Sequence, residues 1–151
     1  MNSYVGVKKF LAKYPFTIAW RVRQHASIID KHLNPGEEIL YIFAGQKNDR
    51  AVDIMNTYVV AFTNKRILLA TKRLVFGYFF ITVTPDMYND LTIRRGLLFG
   101  SVTLDTIKEV ITITNIDPRA LPEIETNISE IMMEQKKKYV KEKEENKKES
   151  E

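Results

Sequence analysis

The stretch Val60–Leu69 reads V-A-F-T-N-K-R-I-L-L, two apolar runs split by Thr63-Asn64-Lys65-Arg66. A lysine and an arginine side by side can hold an anion. The same four residues also suit a hairpin corner. The flanking apolar positions keep hairpin spacing, Asn64 tolerates positive φ, the Thr63 hydroxyl can bond backbone across the turn, and Arg66 can fork onto loop carbonyls. The corner is the expected reading, with Lys65 solvated at its tip. Other reactive residues are few. His25 and His32 are the only histidines. Seven apart on one helix, they stand about 10 Å from each other, too far to share a metal. Glu37-Glu38 falls on a turn, where solvation is the default. Gly96 and Gly100 have no following Lys-Ser/Thr, so they make no phosphate loop, and no nucleophile elbow is present. The chain has no cysteine, hence no disulfide or thiolate site. No catalytic, cofactor or metal site is expected, and the reading is of a non-enzyme.

Charge placement is more informative than its total of +4. Residues 1–34 hold six Lys/Arg against Asp30 alone, residues 35–116 hold nine against eight acids, and residues 117–151 hold eight against ten. A basic head on a neutral body points to a surface-seeking N-terminus and not to a nucleic-acid footprint. The interaction candidates are therefore Lys8, Lys9, Phe10, Leu11, Lys13, Tyr14, Trp20, Arg21 and Arg23. Trp20 suits either core packing or a membrane interface beside the two arginines. The run Phe76, Tyr78, Phe79, Phe80 could stack bases, but its alternation is expected to be core.

Positioning elements follow from the periodicity. Val7, Phe10, Leu11 and Tyr14 mark one helical face, stopped by Pro15. A second helix is expected from Thr17 as N-cap, with a stripe of Ile18, Val22, Ala26, Ile29 and Leu33, ended by Asn34-Pro35-Gly36. The period then changes. Strands are expected near 39–46, 57–63, 66–72, 77–84, 91–95, 98–104 and 107–115, with turns at Asn48-Asp49-Arg50, Asn64-Lys65, Pro85-Asp86, Gly96 and Asp105-Thr106. Seven short strands with tight connections predict an antiparallel barrel or sandwich. After Asp117-Pro118 a helix from about Pro122 carries Leu121, Ile124, Ile128, Ile131 and Met132 on one face, to cap an open end. Beyond Met133 the chain is charged and expected to be a disordered or helical tail. No membrane helix or signal peptide is read, and a soluble cytoplasmic protein is expected.

Three motifs, Pro35-Gly36-Glu37-Glu38-Ile39-Leu40, Ala61 to Leu68, and Arg95-Gly96-Leu97-Leu98-Phe99-Gly100, resemble the bacterial pleckstrin-homology (PH) domains. Within these the chain is similar to the YokE-like branch. The resemblance covers about residues 36–133 and implies an α+β, mainly β, PH-like fold: a seven-stranded barrel or sandwich capped by a C-terminal helix. Residues 1–34 stand outside as a helical extension, the domain spans 35–133, and the tail 134–151. A phosphoinositide headgroup would need clustered bases on the first hairpin, where Asp49 and Asp53 offset Lys47 and Arg50.

These readings converge on a non-catalytic interaction or scaffold module without cofactors. Its expected partners are a second copy of itself or another protein, favoured by the chargeless strand 77–84, whose unpaired edge invites strand pairing. The alternative is a peripheral adaptor meeting anionic lipid weakly through the basic N-terminal helices at the inner face of the membrane. Residues 1–15 are expected to be dispensable for the β-fold.

Overall fold

The computed structural model describes residues 2–47 and 56–151. Asn2 caps helix α1 (Ser3–Lys13), its side chain accepting from the Tyr4 and Val5 N–H groups. Helix α2 (Val22–His32) follows, then strands β1 (Ile39–Gln46), β2 (Thr57–Thr63), β3 (Ile67–Lys72), β4 (Tyr78–Val83), β5 (Tyr88–Arg95), β6 (Gly100–Thr106) and β7 (Val110–Ile116). A 3-10 turn at Pro118–Ala120 leads into α3 (Leu121–Glu149). The turn proposed at Asn48-Asp49-Arg50 lies outside the described residues.

The strands form one antiparallel sheet in the order β4-β3-β2-β1-β7-β6-β5. It is an open sheet with two edges, not a closed barrel. Among the described residues Gln46–Thr114 is the one ladder pair between β1 and β7, so β1–β4 and β5–β7 form two ladders joined at that pair. Between them lies the main core, with Phe43, Phe62, Leu69, Tyr88, Val102 and Ile113. α3 closes it by laying down Leu121, Ile124, Ile128 and Met132, one residue per turn on a single face.

A second core lies on the other side of β1–β3. There Val7 of α1 and Ala26, Ile28 and Ile29 of α2 cover Ile42, Ala44, Val59, Ala61, Leu68 and Ala70. This explains why β2, T-Y-V-V-A-F-T, is buried at every position: a strand covered on both faces shows no alternation. The N-terminal helices are packed on the sheet. Phe10 and Tyr14 belong to the main core as well, which weighs against the expectation that residues 1–15 are dispensable.

Several boundaries also differ: β5 begins at Tyr88, β6 runs through Asp105 and Thr106, where a turn is expected, and β7 begins at Val110. Thr17 caps no helix; its Oγ1 accepts the Asp117 N–H at 2.9 Å, and α2 begins at Val22 behind Arg21, which adopts a left-handed φ of 54°. In the intervening segment the Ile18 N–H donates to the Asn115 carbonyl. Buried Asp117 ties the same segment, accepting from the Phe16 N–H and from the Arg119 guanidinium. At the other end, helix continues to Glu149, and buried Gln135 lies beyond the expected boundary at residue 133.

Candidate functional site

The Thr63–Arg66 corner is engaged from inside the protein. Arg66 forks onto the Glu37 carboxylate with its Nε and Nη2, each at 3.0 Å, and Nη2 also donates to the His32 carbonyl at 2.8 Å. The Glu37 carboxylate further accepts from the Thr63 hydroxyl and the Asn34 N–H. Its side chain is wholly buried and that of Arg66 is 16% exposed, so Glu37 is not the solvated turn residue its position suggests. Burial alone would raise the Glu37 carboxyl; the hydrogen bonds from Arg66, Asn34 and Thr63 outweigh it and hold the group below the ordinary carboxylate range. Asn64 is not in the left-handed region. It stitches the corner through its side chain, accepting from the Glu38 N–H and donating to the Gly36 carbonyl. Gln135 of α3 donates to the Thr63 carbonyl. Of the four residues only Lys65 is exposed.

The N-terminal candidates separate into two groups. Phe10 and Tyr14 are buried and Leu11 is half-buried, so the apolar face is packed on the sheet. Lys8, Lys9 and Lys13 remain outside, Lys13 paired with Glu123 of α3. Trp20 is 46% exposed, with its N–H on the Thr57 hydroxyl, and Arg23 is exposed with its guanidinium 5.6 Å from the Tyr4 ring centre. Arg21 faces elsewhere: its Nη1 reaches the Lys72 carbonyl at 3.3 Å, where the β3–β4 hairpin begins.

That hairpin is the feature sequence reasoning missed. Its tip holds Leu74, Val75 and Phe76 at 63%, 76% and 82% exposure, with Gly77 closing the turn at φ 76°. Phe76, Tyr78 and Phe79 are not core residues; the two on β4 are about half exposed. Phe80 alone of the run is well packed, stacked on His32 at 4.1 Å. Between tip and α2 opens a cleft of about 530 Å³ lined by Arg21, Lys72, Arg73, Leu74, Val75 and Phe79. Three cations meet apolar surface there, and no carboxylate is among the described residues lining it. Arg73 lies over the Phe79 ring at 5.3 Å. His25 fastens the hairpin base, its Nδ1 accepting the Lys72 N–H at 2.7 Å. Burial, aided by the nearby Arg21 charge, lowers this imidazole to about 4, so it stays a neutral acceptor. The signal was present as K-R-L-V-F-G, an apolar triplet between two bases and a glycine, placed where no alternation could bury it.

No group of His, Cys, Asp and Glu among the described residues could hold a metal, and no described helix is long and apolar enough to cross a membrane. The sheet order, with a C-terminal helix closing one end of it, meets a decisive match: the bacterial PH domain family covers residues 33–130. The chain belongs to the bacterial PH domain family. Neither a curated protein nor a solved structure matches it. As a bacterial PH domain the chain falls among modules for protein or lipid interaction. The matched span begins at Leu33, after both N-terminal helices.

Proposed function

We propose that this bacterial PH domain is a non-catalytic module that docks on an anionic membrane surface through its β3–β4 hairpin. The observation that carries the reading is the exposed triplet Leu74-Val75-Phe76 ringed by Arg21, Lys72 and Arg73. An apolar tip held out in water on a rigid hairpin is a site awaiting a less polar surrounding. Full burial of such side chains is worth about 1.5–3 kcal/mol each, against about 1 kcal/mol for each base near anionic lipid. The tip is the larger contribution, so binding is reversible and partly resistant to salt. The contact differs from the in-plane amphipathic helix expected at the N-terminus, because α1 spends its apolar face on the sheet. It also needs no headgroup recognition by the first hairpin. Within the family, the three motifs around Glu37, Arg66 and Gly96 favour the YokE-like branch, and an anionic target suits a cytoplasmic protein at the inner face of the membrane.

Co-sedimentation with vesicles of phosphatidylcholine, with and without phosphatidylserine, tests the reading. The chain is expected to pellet with the phosphatidylserine vesicles at physiological salt. Val75→Asp and Phe76→Asp should each weaken binding by roughly tenfold or more, whereas Lys65→Ala, at the far corner, should bind like the parent. A parent chain that stays in the supernatant, or aspartate variants that pellet equally, would sink it.

A further inference from the structure

The two edges of the sheet are built differently. Edge strand β5 carries Asp90, Arg94 and Arg95 and a register shift between Tyr88 and Asp90, the charges and bulge that discourage pairing with another chain. Edge strand β4, Y-F-F-I-T-V, carries no charge, no proline and no bulge. From this contrast we propose that β4 pairs antiparallel with β4 of a second copy of the chain, about a twofold axis at Phe80.

The register follows from the ladder. In an antiparallel pair, facing residues alternate between exchanging hydrogen bonds and exchanging none. The Arg73 N–H donates to the Gly77 carbonyl at 3.0 Å, and the Thr63 N–H to the Arg66 carbonyl at 2.9 Å. Both fix the same phase: Thr71–Phe79, Leu69–Ile81 and Ile67–Val83 are the bonded pairs of β3 and β4. The N–H and C=O groups of Tyr78, Phe80 and Thr82 therefore point out of the sheet along the open edge. An antiparallel twin satisfies all of them in one register, with Tyr78 opposite Thr82 of the second copy and Phe80 opposite Phe80. That register also sets half-exposed Phe79 against Ile81 of the second copy, an aromatic with a β-branched residue, twice over. It brings the hairpin end of β4, beside Lys72 of β3 and Arg73 of the turn, toward the Asp86 turn of the second copy, so opposite charges come near each other at both ends. An edge whose two ends complement each other in this way fits its own copy.

The pairing is independent of the membrane reading. The twofold turns the two hairpin tips to opposite ends of the dimer, so a flat bilayer meets one tip per dimer.

Light scattering of the full chain at tens of micromolar is expected to give twice the 17.6 kDa monomer mass, and Phe79→Lys to return it to monomer with an unchanged circular dichroism spectrum. The chain has no native cysteine, so single substitutions report position cleanly. Phe80→Cys should cross-link under oxidation, because facing Cα atoms of a bonded pair stand about 5.5 Å apart; Lys65→Cys should not. A monomer at these concentrations, a Phe79→Lys variant that stays dimeric, or a folded dimer in which Phe80→Cys does not cross-link more than Lys65→Cys overturns the proposal. Should Phe80→Cys fail to fold, the mass of Phe79→Lys decides. Val75→Asp should keep the dimer mass, so loss of vesicle binding and loss of pairing are read separately.

Discussion

Glu37 carries a charge on a side chain shut off from solvent, and its stability depends on every partner that reaches it. Arg66 supplies two of its hydrogen bonds, Thr63 and Asn34 the others. Removing it leaves a guanidinium with little solvent and no counter-charge, which is the costly half of a broken buried pair. Glu37→Ala is expected to lower stability by about 2–4 kcal/mol in urea denaturation, with Lys65→Ala within about 0.5 kcal/mol of the parent. A mild Glu37→Ala would mean that Arg66 finds water. His25 sets a second expectation at this scale. Its folded value is about 4 against an ordinary 6.5. Below pH 6.5 the unfolded chain takes up a proton that the folded chain refuses, so stability is full above pH 6.5 and falls as pH drops toward 4. Between pH 6.5 and 5, above the carboxylate range, thermal melts should decline in the parent and flatten in His25→Leu. Equal slopes in both would remove His25 as the cause.

Helix α1 changes meaning once its contacts are known. Its stripe looks like a docking face for a partner, and the sheet is that partner. Val7 and Phe10 reach separate cores on the two sides of β1. Deleting residues 1–15 strips Val7, Phe10 and Tyr14 and uncovers Ile42 and Ala44. At about 1.5–3 kcal/mol for each large buried side chain, the loss rivals the 5–15 kcal/mol that holds a domain together. Loss of the cooperative thermal transition is expected. A truncated chain that melts like the parent would show the helix to be an appendage. Phe10→Ala should cost about 3–5 kcal/mol by itself.

On the scale of the whole molecule, surface use is divided. The outer face of β1–β3 is covered by α1 and α2, the inner face by α3 and the second ladder. Among the described residues the β3–β4 hairpin tip and the β4 edge remain uncovered and apolar, as do Phe16 and the Leu97-Leu98 turn between β5 and β6. Much of this was legible in the residues themselves. β1 and β2 fall within the bounds read from β-branched runs, Pro15 and Pro122 mark a helix end and a helix start, and the corner at Thr63–Arg66 shows in its spacing, because turn chemistry and strand propensity act over a few residues. The sequence determined which segments are strands and most of the places where chain direction reverses. Only the tertiary structure decided which apolar residues are inside. Phe10 and Phe76 are equally greasy in a list, but one meets a sheet and the other stands at a hairpin tip. Glu37 and Glu38 are neighbours, yet one is buried against an arginine 29 positions away and the other is solvated. Burial is set by contacts between residues far apart in the chain, and a local pattern holds no record of them.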